Sequence, residues 1–78
     1  MIEKIGSYIA EEILKNTDRK IEADEKLIST GLVDSFSLVD LALFVENEFG
    51  VRIDDTELNA QTFDSLTELA GMIKERQG

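Results

Sequence analysis

Apolar residues recur at helical intervals in three separate stretches of the chain. Ile2, Ile5, Ile9 and Ile13 are spaced three or four apart, with Glu3, Lys4, Glu11, Glu12 and Lys15 between them, which predicts a helix over residues 2–15. Gly6 weakens that helix modestly, and Asn16, followed by Thr17 and Asp18, supplies a stop. In the second stretch, residues 34–49, Leu38, Leu41, Ala42, Val45 and Phe49 fall on one side at 100° per residue. The third runs from about Ser65 to Arg76, where Leu66, Leu69, Ala70 and Ile73 form the stripe. Lys74 and Arg76 sit at its negative end, the side the macrodipole prefers. Phe63 and Met72 are expected to pack at its margins.

The connections are less regular. Residues 16–33 make a long loop for a chain of 78 residues, and loops of that length are often functional or disordered. Ile21, Leu27, Ile28, Leu32 and Val33 give it apolar anchors, so an ordered loop laid across the helices is expected, with a turn of helix around Asp24–Ile28. Gly31 adds conformational freedom just before the second helix. After Gly50 the chain turns through Val51–Asp55, and Asp54 or Asp55 could cap a short helix over Thr56–Asn59. The expected architecture is one all-α domain over residues 1–78, a four-helix bundle of three principal helices and one short one. Its core is small, and only well-packed helices make such a core stable.

Charge narrows the classes of function. Seventeen acidic residues against eight basic ones give a formal net charge of −9. Nucleic acid and anionic lipid surfaces both require clustered Lys and Arg, so neither is an expected ligand. Partners with basic patches are favoured instead. Such a chain also repels itself, so lower pH or divalent cations are expected to stabilise it. There is no cysteine and no histidine, which removes disulfides, protein thiols and the commonest general base. With no Gly-rich phosphate loop and no nucleophile–base pair, an enzyme is not expected. Asp54, Asp55 and Asp64 lack the mid-loop glycine and terminal glutamate of a calcium loop, and read as a solvated face. No stretch is apolar enough to span a bilayer and no signal-peptide pattern opens the chain, so a cytoplasmic protein is expected.

The start of the second helix holds the candidate chemistry. Asp34 is a preferred N-cap residue, with Val33 and Leu38 at the two positions a hydrophobic staple joins. Ser35 then falls at the first helical position, where its hydroxyl is not needed for capping. A phosphate on that oxygen would lie where free amides and the macrodipole favour negative charge. On the face opposite the core stripe, Phe36, Asp40, Leu43 and Asn47 fall within about 60° of one another. An apolar pair rimmed by Asp40, Glu46 and Glu48 reads as a docking surface beside Ser35. The alternative is that Phe36 and Leu43 cover a loop.

These residues resemble the acyl carrier proteins. Asp34-Ser35-Phe36 follows Gly31 and precedes an acidic amphipathic helix ending Glu46-Asn47-Glu48-Phe49-Gly50. The family pattern is Asp-Ser-Leu, and Phe36 keeps its apolar character. The resemblance covers nearly the whole chain. It implies a 4′-phosphopantetheine arm on Ser35, installed from coenzyme A by a phosphopantetheinyl transferase with magnesium assisting. It further implies acyl groups held as thioesters and passed between a loading ligase and downstream synthase enzymes. Asp34 would cap the helix beside the arm, and Phe36, Asp40, Leu43, Glu46 and Asn47 would form the surface that partners read. An acyl chain would tuck among Val39, Leu41, Val45 and Ile53. Fatty-acid-synthesis members usually have Gly-Ala before the tripeptide. Leu32-Val33 here is closer to stand-alone carriers of specialised pathways and to D-alanyl carriers, so acyl and aminoacyl cargo both stay open. So does an adaptor using the Phe36–Leu43 patch without an arm.

A second tripeptide, Asp64-Ser65-Leu66, matches the pattern more literally. Ser65 is followed at the third position by Glu68, and Ser-x-x-Glu is a capping box that occupies the hydroxyl. Too little chain follows it to complete a bundle. Ser37 lies on the same turn as Ser35 but inside the helix.

Overall fold

The computed structural model describes residues 1–77. Three helices and one single 3₁₀ turn make up the regular structure, and there is no strand among the described residues. Helix α1 spans Ile2–Tyr8 and continues into a wider π-helical turn over Ile9–Ile13. Helix α2 spans Ser35–Phe49, the 3₁₀ turn Asp55–Glu57, and helix α3 Leu66–Gln77. The whole measures 33 × 21 × 20 Å.

The predicted apolar stripes are the core. Ile5 and Ile9 of the first helix, Leu38, Leu41 and Val45 of α2, and Leu66, Leu69 and Ile73 of α3 are all buried together. Ala42 and Phe49 pack against this cluster while half-buried. Phe63 is not marginal as its position suggested. It is fully buried and is the largest such side chain in the protein, because the chain entering α3 passes through the core rather than around it.

The long loop is ordered for the reason its apolar residues suggested. Ile21, Leu27 and Val33 are buried, and Ile28 and Leu32 pack against the core. Burying an aliphatic side chain fully contributes roughly 1.5–3 kcal/mol, enough to offset the ordering of one or two loop residues each. The expected turn of helix at 24–28 does not form. Non-helical turns take its place, closed by Glu25 N–H to the Glu22 carbonyl and Gly31 N–H to the Ile28 carbonyl. Gly31 adopts φ 78°, which suits a residue without Cβ.

Several boundaries differ from the sequence reading. The first helix ends at Ile13, not Lys15. The stop is Lys15 itself, which adopts a left-handed φ of 57°, while the Asn16 amide donates to the Ala10 carbonyl at 2.8 Å. Between Asp54 and Asn59 only Asp55–Glu57 is helical, because Asn59 turns its side chain back on the amides of Gln61 and Thr62. Of the two candidate caps, Asp54 serves, paired with Glu57 in a capping box. Gly6 is buried rather than merely tolerated. A Cβ there would sit 3.2 Å from Leu66 Cδ1 and 3.7 Å from Ile21 Cβ, so its absence lets α1 approach α3 and the loop closely.

Polar and aromatic ties fix α2 against its neighbours. Tyr8 stacks on Phe44 with centroids 4.2 Å apart, and Phe44 meets Phe49 edge-on at 6.3 Å. Lys4 Nζ lies 2.7 Å from the Glu48 carboxylate. At the other end of the chain, Arg76 forms a two-armed pair with Glu57, one arm measuring 2.9 Å. That guanidinium holds the Glu57 carboxyl down to about 2. Gln77 donates from its side chain to the Phe49 carbonyl at 3.1 Å.

Candidate functional site

Asp34 caps α2 as its residue type requires. Its backbone is extended (φ −85°, ψ 177°) and its Oδ1 accepts from the Ser37 amide at 2.8 Å. That bond, with smaller help from the Ser37 side chain, holds the Asp34 carboxyl below the usual carboxylate range. The two staple residues, Val33 and Leu38, are both buried in the core. With cap and staple supplied by these neighbours, Ser35 begins the helix exposed, and its hydroxyl enters no hydrogen bond among the described residues. The Ser35 amide is likewise unpaired among them, which leaves the donor end of a fifteen-residue helix open to an anion.

The rival serine stands in a different environment. Ser65 is only 5% exposed, and its Oγ accepts from the Glu68 amide at 3.2 Å. Glu68 completes the exchange one residue further back than the standard box, accepting from the Asp64 amide at 2.8 Å.

Along the outer face of α2, Phe36 is 86% exposed, Leu43 54% and Val39 48%. Phe36 and Leu43 therefore do not cover a loop. Asp40, Glu46 and Asn47 are exposed beside them, and Glu48 is exposed but tied to Lys4. Val39 departs from expectation, since it shares this exposed face rather than an interior with Leu41 and Val45, which belong to the closed core. Val39 lies one turn from Phe36 and in register with Leu43, so the patch was extensible from the sequence by the same 100° count. A recess of about 290 Å³ opens between α2 and residues 52–55, lined by Val39, Ala42, Leu43, Glu46, Arg52, Ile53 and Asp55. Ile53 is the one expected acyl-lining residue that joins Val39 there. A larger recess, about 490 Å³, lies between α1 and residues 19–23 and includes no residue of α2.

Asp64 is the residue the sequence reading placed wrongly. It does not belong to a solvated acidic face but is buried, 7% exposed. Its Oδ1 accepts from the amides of Leu27, Ile28 and Ser29 at 3.1, 2.6 and 3.0 Å. The Ser29 side chain foremost, and then these three amides, hold its carboxyl down to about 2. No local signal marked it, because its partners are 35 to 37 residues away in sequence.

The fold thus leaves one serine exposed at the start of a capped helix, beside an acidic, partly apolar helix face. Residues 5–73 match the family model described as a phosphopantetheine attachment site, and the chain belongs to that family, whose prosthetic group is a covalently attached 4′-phosphopantetheine. Among curated proteins it is similar to the acyl carrier protein of Thermotoga maritima, 32% identical over 96% of this chain and 89% of the relative. It is similar to acyl carrier protein 2, chloroplastic, of Spinacia oleracea, 31% identical over 99% of this chain, which spans 57% of the relative's length. It is also similar to the D-alanyl carrier protein of Lacticaseibacillus casei, 28% identical over 88% of this chain and 85% of the relative. No helix among the described residues is long and apolar enough to cross a membrane.

Proposed function

We propose that this chain carries acyl intermediates on a 4′-phosphopantetheine attached to Ser35, and hands them between enzymes of fatty acid, polyketide or related biosynthesis. The observation that supports it most is the contrast between the two Asp-Ser tripeptides. Ser35 Oγ is exposed and unbonded among the described residues at a helix N-terminus, whereas Ser65 Oγ is buried and spent as a cap. The arm fits the donor set. A phosphodiester on Ser35 would face the open end of α2, and Asp34, its charge already engaged by the Ser37 amide, would lie beside it. The group supplies a terminal thiol for thioester formation, and the chain has no sulfhydryl of its own to compete.

The remaining work belongs to the surface of α2. Phe36, Val39 and Leu43 offer desolvatable area, while Asp40, Glu46 and Asn47 orient a partner bearing Arg and Lys. A phosphopantetheinyl transferase, a loading ligase and downstream synthase enzymes are the partners this face suits. Incubation with coenzyme A and a promiscuous transferase tests the assignment. A mass gain of one phosphopantetheine is expected in the wild type and in Ser65→Ala, and none in Ser35→Ala. An unchanged wild-type mass would leave a plain helical adaptor as the reading.

Aminoacyl cargo is the second reading. It is favoured by the similarity to D-alanyl carrier proteins of Lacticaseibacillus casei and Bacillus velezensis, 28% and 27% identical. Offering the holo form to acyl- and aminoacyl-activating ligases, with the product followed by mass, separates the two.

A further inference from the structure

The loop that delivers Ser35 is tied to the segment entering α3, chiefly through one side chain. Asp64 Oδ1 gathers the amides of Leu27, Ile28 and Ser29, and the Asp64 carbonyl accepts a second bond from the Leu27 amide at 2.8 Å. The clasped segment then closes on itself. The Leu27 carbonyl accepts from the Val33 amide at 2.9 Å, and the turn between them is closed by Gly31 N–H to Ile28 at 3.0 Å. Val33 is the buried residue immediately before the cap Asp34. An unbroken run of short bonds therefore leads from the Asp64 carboxylate through residues 27–33 to the start of α2. A lesser tie joins α3 to the same loop earlier, where Thr67 donates from both its amide and its hydroxyl to the Ala23 carbonyl.

Three amides converging on one oxygen are more than the N-terminus of α3 needs, since Ser65 already caps that helix. Every donor belongs to the loop. A carboxylate is the side chain whose single oxygen can accept several amides and whose charge strengthens each bond. We propose that Asp64 is a positioning residue for modification of Ser35, fixing through the 27–33 loop where that hydroxyl is presented to the transferase. The inference rests on Ser35 being the attachment site. Without the carboxylate, Leu27 and Val33 keep their burial and backbone bonds, but the Ile28 and Ser29 amides lose their acceptor and the turn that leads to Ser35 loosens. Misplacement of a reacting oxygen by about 1 Å can cost up to about a hundredfold in rate.

The test compares Asp64→Ala, Asp64→Asn and the core control Ile73→Val with the wild type, well below their melting temperatures. Ser35→Ala is run alongside. Transferase kinetics with the carrier varied at saturating coenzyme A give kcat and KM, and amide hydrogen exchange is followed residue by residue. Asp64→Ala is expected to lower kcat/KM about tenfold and to speed exchange over residues 27–35 selectively. Asp64→Asn, which keeps one acceptor oxygen without the charge, should fall between. Ile73→Val lowers global stability from within α3 and should leave kcat/KM unchanged. Normal modification of Asp64→Ala, or a loss no greater than that of Ile73→Val, overturns the proposal. Should Asp64→Ala fail to fold, Asp64→Asn decides alone, and wild-type kinetics with wild-type exchange over 27–35 overturn it. Modification that persists in Ser35→Ala refutes the attachment site instead, a separate outcome.

Discussion

Two glycines lie inside helices, and replacing each by alanine isolates what packing does in this protein. Gly71 sits in the middle of α3, exposed, and a Cβ there would meet nothing within 4 Å. Alanine exceeds glycine in a helix interior by about 1 kcal/mol, so Gly71→Ala should be stabilising by about that amount. For a domain of this size that raises Tm by about 4–8 °C. Gly6→Ala gains the same backbone contribution in α1 but places its Cβ 3.2 Å from Leu66 Cδ1. Carbon pairs prefer roughly 3.5–4.0 Å, so Leu66 would have to retreat by about 0.4 Å. Leu66 is fully buried, and crowding a close-packed core typically costs about 1–3 kcal/mol, with one methyl at the low end. Gly6→Ala is therefore expected to be neutral to destabilising by about 1 kcal/mol. The two variants should differ by at least about 1 kcal/mol in favour of Gly71→Ala. Thermal melts followed by circular dichroism, with urea titrations alongside, measure the difference. A Gly6→Ala protein that melts as high as Gly71→Ala would refute the close approach of α1 to α3.

Other expectations follow from single contacts. The Asp64 carboxyl is held at about 2 in the fold, below its ordinary 3.8. Its contribution is therefore present above pH 4 and lost as pH falls toward 2. Acid titration of stability should show the gap between wild type and Asp64→Asn closing over that window, and a gap independent of pH would contradict the clasp. Phe36→Ser should change stability by no more than about 0.5 kcal/mol, the range of surface substitutions, because the ring is 86% exposed. The same variant should raise the transferase KM for the carrier. Lys15→Gly should be stabilising by about 1 kcal/mol by relieving a left-handed φ of 57°, measured by urea unfolding. Ser65→Ala should be destabilising by about 1 kcal/mol through loss of a helix cap, while Ser35→Ala should leave stability unchanged, as paired melts will show.

The helices, their buried faces and the bare serine were legible from the sequence, because each depends on residues within one or two turns. The 3.6-residue period sorts Leu38, Leu41 and Val45 from Phe36 and Leu43 without reference to the rest of the chain. Asp34 as cap beside a Val33–Leu38 staple is equally local, and so is the capping role that removes Ser65 from contention. What only the tertiary structure decided involves residues far apart in sequence. Asp64 looked like surface because nothing near it says that three loop amides will converge on it from Leu27–Ser29. Gly6 looked like a weak point because its neighbours Ile21 and Leu66 arrive only when the chain folds. Phe63 went into the core because connections have no period to read, whereas the outer place of Val39 was open to the same helical count as Phe36 and Leu43. Local periodicity and capping are set by backbone geometry, whereas the choice of which loop a carboxylate clasps, or which helix a glycine admits, is made by the whole chain packing at once.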